Sequence, residues 1–487
     1  MLFQTPEFLL FIISVLLLYW GILRGRRQAQ NIMLLVASYI FYGWWDWHFL
    51  GLIFFSTVVD YICGLYLDQR QGEQETEYLL DAAKRKRVLI VSLVCNLGLL
   101  GFFKYYNFFT ESLASSVWVM FGYEFEPWFL DIAVPVGISF YTFQSLSYTI
   151  DIYRGKLRSR RSFLDFALFV AIFPQLVAGP IVRAKEMLPQ IEKDRRFHLE
   201  TAQEGLWLIL WGLVKKVVIA DNIAKVTDTL YNPDVFQLGS PLALAAAYAF
   251  TVQIYCDFSG YTDIARGTAR LLGFELPLNF RLPFFAKNPS DLWERWHITL
   301  SSWLRDYLYI SLGGKRKGAS WTYFNLMATM VLGGLWHGAN DNFITWGFYH
   351  GLVLVVYRVL ALRGLRWPME NTAVVLFFRR LVMFHLWCIG CTIFRSTSSE
   401  HAFRIISDLF TFTAANETVM ATSVAFERLA FFAGPLILFQ LIQFRTNNLD
   451  VIFRWPWPIR GVIYAVLLIW MIIFGNFHGQ EFYYFQF

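Results

Sequence analysis

The sequence predicts an all-α polytopic membrane protein, and three observations predict it. Of 487 residues, 56% are hydrophobic and 19% aromatic while 16% are charged, and mean hydropathy is +0.44. Apolar surface on that scale needs a non-aqueous solvent around it. Apolar runs such as 8–20 and 89–103 recur along the whole chain, and about eleven or twelve segments approach the roughly 20 residues a spanning helix requires. Basic loops alternate with acidic or neutral ones, the pattern that sets membrane orientation. A large soluble protein of many buried helices would need polar faces that these segments lack.

The first run follows a single charge, Glu7, and precedes Arg24, Arg26 and Arg27. Without a basic n-region or a small-residue cleavage site it reads as a retained helix rather than a signal peptide. The second, 32–45, ends in the interfacial cluster Trp44-Trp45-Asp46-Trp47, and the third, 49–67, leads to Lys84, Arg85, Lys86 and Arg87. The fourth ends near Tyr106, ahead of Glu111, Glu124 and Glu126; the next, 128–150, delivers Arg154, Lys156, Arg158, Arg160 and Arg161. By the positive-inside rule the N-terminus lies outside and the basic loops are cytoplasmic.

That alternation breaks at 163–182, which has basic residues on both sides and contains Pro174, Gly179 and Pro180, poor residues for a straight helix. A re-entrant hairpin that enters and leaves from the cytoplasm satisfies both facts, and such backbone is tolerated only inside protein or along a wet cavity. Spans near 205–220 and 242–256 follow. The stretch 257–318 is the least hydrophobic long segment and is rich in Lys and Arg, so it is expected at the cytoplasmic face. Within it, 293–312 carries Trp296, Leu300, Trp303, Leu304 and Leu308 at helical spacing, which predicts one amphipathic interfacial helix. Apolar runs 321–336 and 343–360 bracket a short Gly-rich turn. Spans near 373–394, 429–444 and 459–474 finish the chain, and the tail from Gly475 is expected outside. No linker or soluble domain interrupts this pattern, so residues 1–487 read as one membrane domain.

Composition also excludes some chemistry. A net charge of +6 without a basic face on a soluble domain argues against nucleic-acid binding. There is no GxSxG, no nucleotide loop after a strand, and no metal-ligand pair at helical spacing. The five cysteines form no disulfide framework, and the pair Cys388 and Cys391 lies inside an apolar run, where helix packing is the plainer reading than redox chemistry. Of eight histidines, His48, His198, His401 and His478 sit at segment ends or in loops. His350 and His385 lie within apolar runs, as packed histidines bonded to a backbone carbonyl would.

His337 and His297 stand apart. His337 lies in Gly333-Gly334-Leu335-Trp336-His337-Gly338-Ala339-Asn340, at the end of an apolar run. The flanking glycines remove side-chain bulk, so that a substrate could approach closely. An imidazole there can act as general base for a hydroxyl attacking a thioester; a satisfied histidine at a helix end is the alternative. His297 lies in Asp291-Leu292-Trp293-Glu294-Arg295-Trp296-His297, as an assistant to His337 or as an interfacial anchor like its Trp neighbours. The turn Gly313-Gly314-Lys315-Arg316-Lys317 suits a phosphate contact or an ordinary positive-inside loop.

Taken together the motifs resemble the membrane-bound O-acyltransferase superfamily, especially its bacterial polysaccharide-modifying branch. The matching segments are Val134-Pro135-Val136-Gly137-Ile138-Ser139-Phe140-Tyr141-Thr142-Phe143-Gln144, Phe173-Pro174-Gln175-Leu176-Val177-Ala178-Gly179-Pro180, Asp257-Phe258-Ser259-Gly260-Tyr261-Thr262-Asp263, Trp293-Glu294-Arg295-Trp296-His297 with Arg305-Asp306-Tyr307, and Gly334-Leu335-Trp336-His337-Gly338. The closing Tyr483-Tyr484-Phe485-Gln486-Phe487 resembles the tail of the alginate type. The resemblance implies a ring of tilted helices with re-entrant segments around a central catalytic funnel. It gives His337 the place of the principal catalytic histidine and His297 that of a second signature residue, with Arg305, Asp306, Tyr307, Lys315, Arg316, Asp257 and Trp336 as candidate donor contacts and no metal. It also implies acetyl-CoA or an acyl carrier thioester as donor substrate, no bound cofactor, a bacterial inner-membrane location, and a separate periplasmic transferase that acetylates a glycan. D-alanyl transfer from a carrier protein, or a transporter with intramembrane histidines, are the rival readings.

Overall fold

The computed structural model describes all residues except 72–76, 79, 132, 235–237, 365–371, 412–415, 478–481 and 484–487. His478 and most of the closing tail motif therefore lie outside the described residues. Among the described residues twenty α-helices follow in chain order: α1 Pro6–Leu16, α2 Arg27–Gly43, α3 Leu50–Leu67, α4 Ala82–Leu100, α5 Tyr106–Phe121, α6 Ile138–Tyr153, α7 Phe163–Ala171, α8 Phe173–Leu176, α9 Ala184–Ile191, α10 Leu199–Leu213, α11 Asp221–Leu230, α12 Ser240–Leu271, α13 Pro289–Trp293, α14 Ile298–Trp303, α15 Ala319–His337, α16 Asp341–Leu362, α17 Ala373–Arg395, α18 Ser399–Asp408, α19 Asn416–Thr446 and α20 Trp457–Phe474. A two-residue antiparallel pairing, Arg70–Gln71 with Glu77–Tyr78, is the one strand contact among the described residues. The protein is all-α and polytopic.

Seven described helices are long and apolar enough to cross a membrane: Trp47–Leu67, Ala82–Phe121, Ser240–Leu271, Asp341–Leu362, Ala373–Arg395, Val419–Thr446 and Trp457–Phe474, with Pro6–Ile22 apolar but shorter. This is fewer than the apolar segments counted in the sequence. The difference lies in helices such as α6, which is buried along nearly its whole length. A helix wrapped by protein needs no lipid-facing apolar surface, so it can be shorter and more polar than a span in contact with lipid.

Two sequence expectations meet the backbone directly. Over 163–182 the helix breaks at Ile172, resumes for one turn as α8 and then runs without helix to Arg183. Phe166 to Phe173 are almost wholly buried, so this irregular backbone lies inside protein, where its freed polar groups can be satisfied. The single amphipathic helix expected over 293–312 does not form. The chain makes the short helix α13, leaves helical geometry before His297, and restarts as α14 followed by a π-helical stretch, Leu304–Tyr309. The periodicity was real, but a left-handed residue (His297, φ 42°) interrupts it.

Backbone contacts divide the described residues into two compact units, residues 1–209 with 265–277, and residues 210–264 with those from 278 on. In the first, α3, α4 and α6 share a polar core. Asp60 accepts hydrogen bonds from Ser92 (2.6 Å), from the Asn96 amide (3.0 Å to each oxygen) and from Ser145, while Ser56 donates to Asn96. Buried polar groups linking helices in this way act as glue where apolar association is weak. Helices α10 and α12 touch backbone to backbone at glycines. A Cβ on Gly267 would lie 2.4 Å from the Gly205 carbonyl in the first unit, and one on Gly260 2.7 Å from the Gly212 carbonyl in the second.

Candidate active site

The second unit contains both singled-out histidines, and the site grows from the turn that joins α15 to α16. His337 is the last residue of α15. Gly338 and Ala339 carry the chain to Asn340, whose side chain accepts from the Asp341 N–H and caps α16. So tight a turn holds two helices side by side only if their surfaces are bare. A Cβ on Gly334 would meet the Phe343 carbonyl at 2.1 Å, and one on Gly347 the Met330 carbonyl at 2.4 Å. A Cβ on Gly338 would strike the Phe343 ring at 2.1 Å. The glycines beside His337 thus let α16 approach α15, and the space they leave is filled by that helix rather than kept open for substrate.

His297 is positioned by a different device. Residues 279–282 pair with 295–299: Arg281 N–H donates to the Arg295 carbonyl (2.9 Å), Ile298 N–H to the Asn279 carbonyl (3.0 Å), and the Thr299 hydroxyl to the Asn279 side chain (2.7 Å). Arg295 is itself held by Asp291 at 2.7 Å. This clamp over-determines the backbone, which lets Leu282 (φ 52°) and His297 (φ 42°) persist in the left-handed region, a conformation costing about 1–3 kcal/mol and concentrated at functional sites.

The two rings, 40 positions apart in sequence, come within 6.5 Å centroid to centroid. Aromatic side chains enclose them. Phe258 meets His297 edge-on at 4.6 Å; Trp346 and Phe394 meet His337 edge-on at 5.1 and 5.2 Å; Trp336 lies 4.9 Å from His337 and 5.9 Å from His297. Both histidines are buried, His297 at 1% and His337 at 5% exposure. Burial pushes the His297 imidazole down to about 3, because an enclosed apolar site disfavours the charged form. His297 is therefore neutral at physiological pH.

The structure brings two further features to the site. His350, on α16, sits 4.8 Å from Trp346, 5.3 Å from Trp293 and 5.6 Å from Trp387, which extends the aromatic enclosure to a third histidine. Its position four residues after Trp346, one helical turn on, was the available signal. The other is a buried ion cluster. Lys216 pairs with Asp257 at 2.7 Å and Asp221 at 2.9 Å, and Lys215 with Asp263 at 2.7 Å and the Ser259 hydroxyl at 3.0 Å. The signal was two adjacent lysines inside an apolar run, which require anionic partners at membrane depth. Asp257 also accepts from the Tyr483 N–H at 2.8 Å, and Phe482 packs on Phe258 and Tyr261. The ring after Asp257 is the one on His297, so cluster and histidine are neighbours.

The remaining candidates lie apart. Arg305 pairs with its own neighbour Asp306 at 2.7 Å, largely in the open, while Tyr307 is buried against Trp303. Lys315 and Arg316 are exposed in the turn that precedes α15, so the 19-residue helix α15 separates them from His337, about 28 Å at 1.5 Å per residue. His385 is fully partnered, by the Leu381 carbonyl and the Tyr248 hydroxyl, each at 2.8 Å, in keeping with a packed histidine. Cys388 and Cys391 are buried and form no disulfide. Among the described residues no three His, Cys, Asp or Glu side chains form a group able to hold a metal.

The membrane-bound O-acyltransferase family model matches residues 39–396, a span that contains both histidines, the clamp and the aromatic enclosure. The chain belongs to the membrane-bound O-acyltransferase family. As a member it is an O-acyltransferase, and its relatives give the branch. It is 41% identical to the probable alginate O-acetylase AlgI of Pseudomonas putida over 417 residues, covering 85% of this chain and 81% of that one. It is 34% identical to the peptidoglycan O-acetyltransferase of Helicobacter pylori, over 84% of this chain and 80% of the relative. Its identity to the teichoic acid D-alanyltransferase of Bacillus subtilis is 27%, over 55% of this chain and 70% of that one. The transporter reading does not survive this membership.

Proposed function

We propose that this O-acyltransferase moves an acetyl group from a cytoplasmic thioester, acetyl-CoA, across the bacterial inner membrane for O-acetylation of an exported polysaccharide such as alginate. The observation that carries the reading is the meeting of His337 and His297 inside one buried aromatic enclosure. His337 in its neutral form takes the proton of an acceptor hydroxyl as that oxygen attacks the thioester carbonyl carbon. The tetrahedral adduct collapses with cleavage of the C–S bond, and the thiolate leaves with the proton that His337 returns. His297, neutral and rigidly held, orients the reacting groups. The long separation between His337 and the cations Lys315 and Arg316 suits a donor whose phosphates are joined to its thioester by an extended arm. Arg305, Asp306, Tyr307 and Trp336 remain proposed donor contacts, and Asp257 acts through the Lys216 ion pair.

Orientation follows from charge: basic loops in the cytoplasm, the N-terminus and the C-terminal tail outside, and a funnel leading to the histidines. The final transfer to glycan falls to a separate periplasmic transferase. Kinship to D-alanyltransferases supports a second reading in which an acylated carrier protein is the donor. Purified protein with acetyl-CoA tests the first: consumption of thioester that is lost in His337→Ala supports it, and consumption only of a carrier-bound thioester favours the second. General base catalysis contributes about 10²–10⁴-fold, so His337→Ala is expected to lose transfer by that factor at unchanged membrane level. Full activity in His337→Ala would sink the assignment.

A further inference from the structure

A cavity in the same unit, of about 320 Å³, opens between α16 and α17 beside the start of α13. Its walls are aliphatic: Leu352, Val353, Val356 and Leu360 from α16, Val382, Met383 and Leu386 from α17. Leu352 and Val356 are nearly half exposed, on two helices long and apolar enough to face lipid. Two cations, Lys287 and Arg379, stand in the lining with the polar side chains of Asn288 and Tyr357.

Those cations set the chemistry. Arg379 is the seventh residue of α17, so it lies about 9 Å into a membrane-spanning helix, where an arginine is costly and needs a counter-charge. No ion pair to Arg379 or Lys287 is formed among the described residues. The acid nearest to Lys287 in sequence, Asp291, is taken by Arg295 and by the Lys287 backbone N–H; the acid nearest to Arg379, Glu370, lies outside the described residues. A cleft with aliphatic walls and two cations that form no ion pair among the described residues is complementary to an anionic amphiphile, and basic pockets between membrane helices bind anionic lipid headgroups.

We infer that this cleft holds an anionic phospholipid, its phosphodiester between Lys287 and Arg379 and an acyl chain along Leu352, Val356 and Leu386. The inference goes beyond acyl transfer and does not rest on it. The cleft backs onto the site: the helices that form it also carry Trp293, His350 and Trp387, so a seated lipid braces the packing that encloses the histidines.

The full chain would be purified from membranes doped with phosphatidylglycerol and phosphatidylcholine, and retained lipid counted by native mass spectrometry. One tightly held phosphatidylglycerol per chain is expected, preferred over phosphatidylcholine by about tenfold or more, since two cations face its net negative headgroup. The double variant Lys287→Gln/Arg379→Gln should lose the preference. Val356→Trp, which fills the cleft and keeps the charges, should lose the bound lipid while the protein stays monodisperse. No preference in the parent chain, or an unchanged preference in both monodisperse variants, overturns the inference. Displacement of the lipid by desulfo-coenzyme A also overturns it and gives the cleft to a soluble phosphate ligand.

Discussion

At the scale of single residues, His297 combines a left-handed backbone with an imidazole that burial keeps neutral. Folding lowers its affinity for protons from an ordinary value of about 6.5 to about 3, so between those values the unfolded chain binds a proton that the folded chain refuses. The stability associated with the neutral ring is present above the unfolded value and declines as pH falls through that window, by at most about 1.4 kcal/mol per pH unit. A His297→Phe variant should therefore lose less melting temperature than the parent between pH 7 and pH 5; parallel curves would contradict the burial argument. The Lys216 cluster makes a complementary prediction. Lys216→Met strands Asp257 and Asp221 in a buried site, and breaking a buried pair from one side costs about 3–5 kcal/mol, whereas Lys216→Met/Asp257→Leu should regain part of the loss in a thermal melt. His337 and His297 could be picked out from the sequence because their flanking residues are unusual. His350 and Lys216 left a weaker trace, a histidine one turn after Trp346 and a pair of lysines in an apolar run, and their neighbours from distant segments are known only in the folded chain.

Secondary-structure elements meet through bare backbone in this protein. The same substitution should have opposite signs at two glycines. Gly334→Ala drives a Cβ into the Phe343 carbonyl and is expected to cost about 1–3 kcal/mol by overpacking, with loss of acyl transfer as α15 and α16 part. Gly98→Ala, in α4 with nothing within 4 Å, should be neutral or stabilise by about 0.5–1 kcal/mol through helix propensity. Equal thermal shifts in the two variants would mean that α15 and α16 are not packed as closely as described. Helix existence was readable from apolar periodicity over most of the chain. The breaks were less so: Pro174 and Gly179 announced the interruption after α7, but nothing in the pattern of 293–312 announced the one at His297, since a histidine carries no local rule for a left-handed turn. That break is imposed by the hydrogen bonds that Arg281 donates to Arg295 and that Asn279 accepts from Ile298 and Thr299.

For the molecule as a whole, charge distribution predicts topology. A membrane-impermeant thiol reagent should label Gly318→Cys in inverted vesicles and Gln4→Cys in intact spheroplasts; the reverse pattern would overturn the proposed orientation. Composition and the alternation of basic loops were enough to establish a polytopic all-α membrane protein, because lipid imposes one solution, the helix, on any backbone that crosses it. Five ordered motifs were enough to indicate the family. What required the folded chain was proximity. Which helices face lipid and which are wrapped by protein, that the glycines of the His337 motif serve a neighbouring helix, that residues 40 apart share an enclosure with a third histidine, and that two lysines are answered by three aspartates all depend on contacts between distant segments. Local patterns in a sequence record the solvent and the period of each element, but the partner of a buried side chain is set by the packing of the whole.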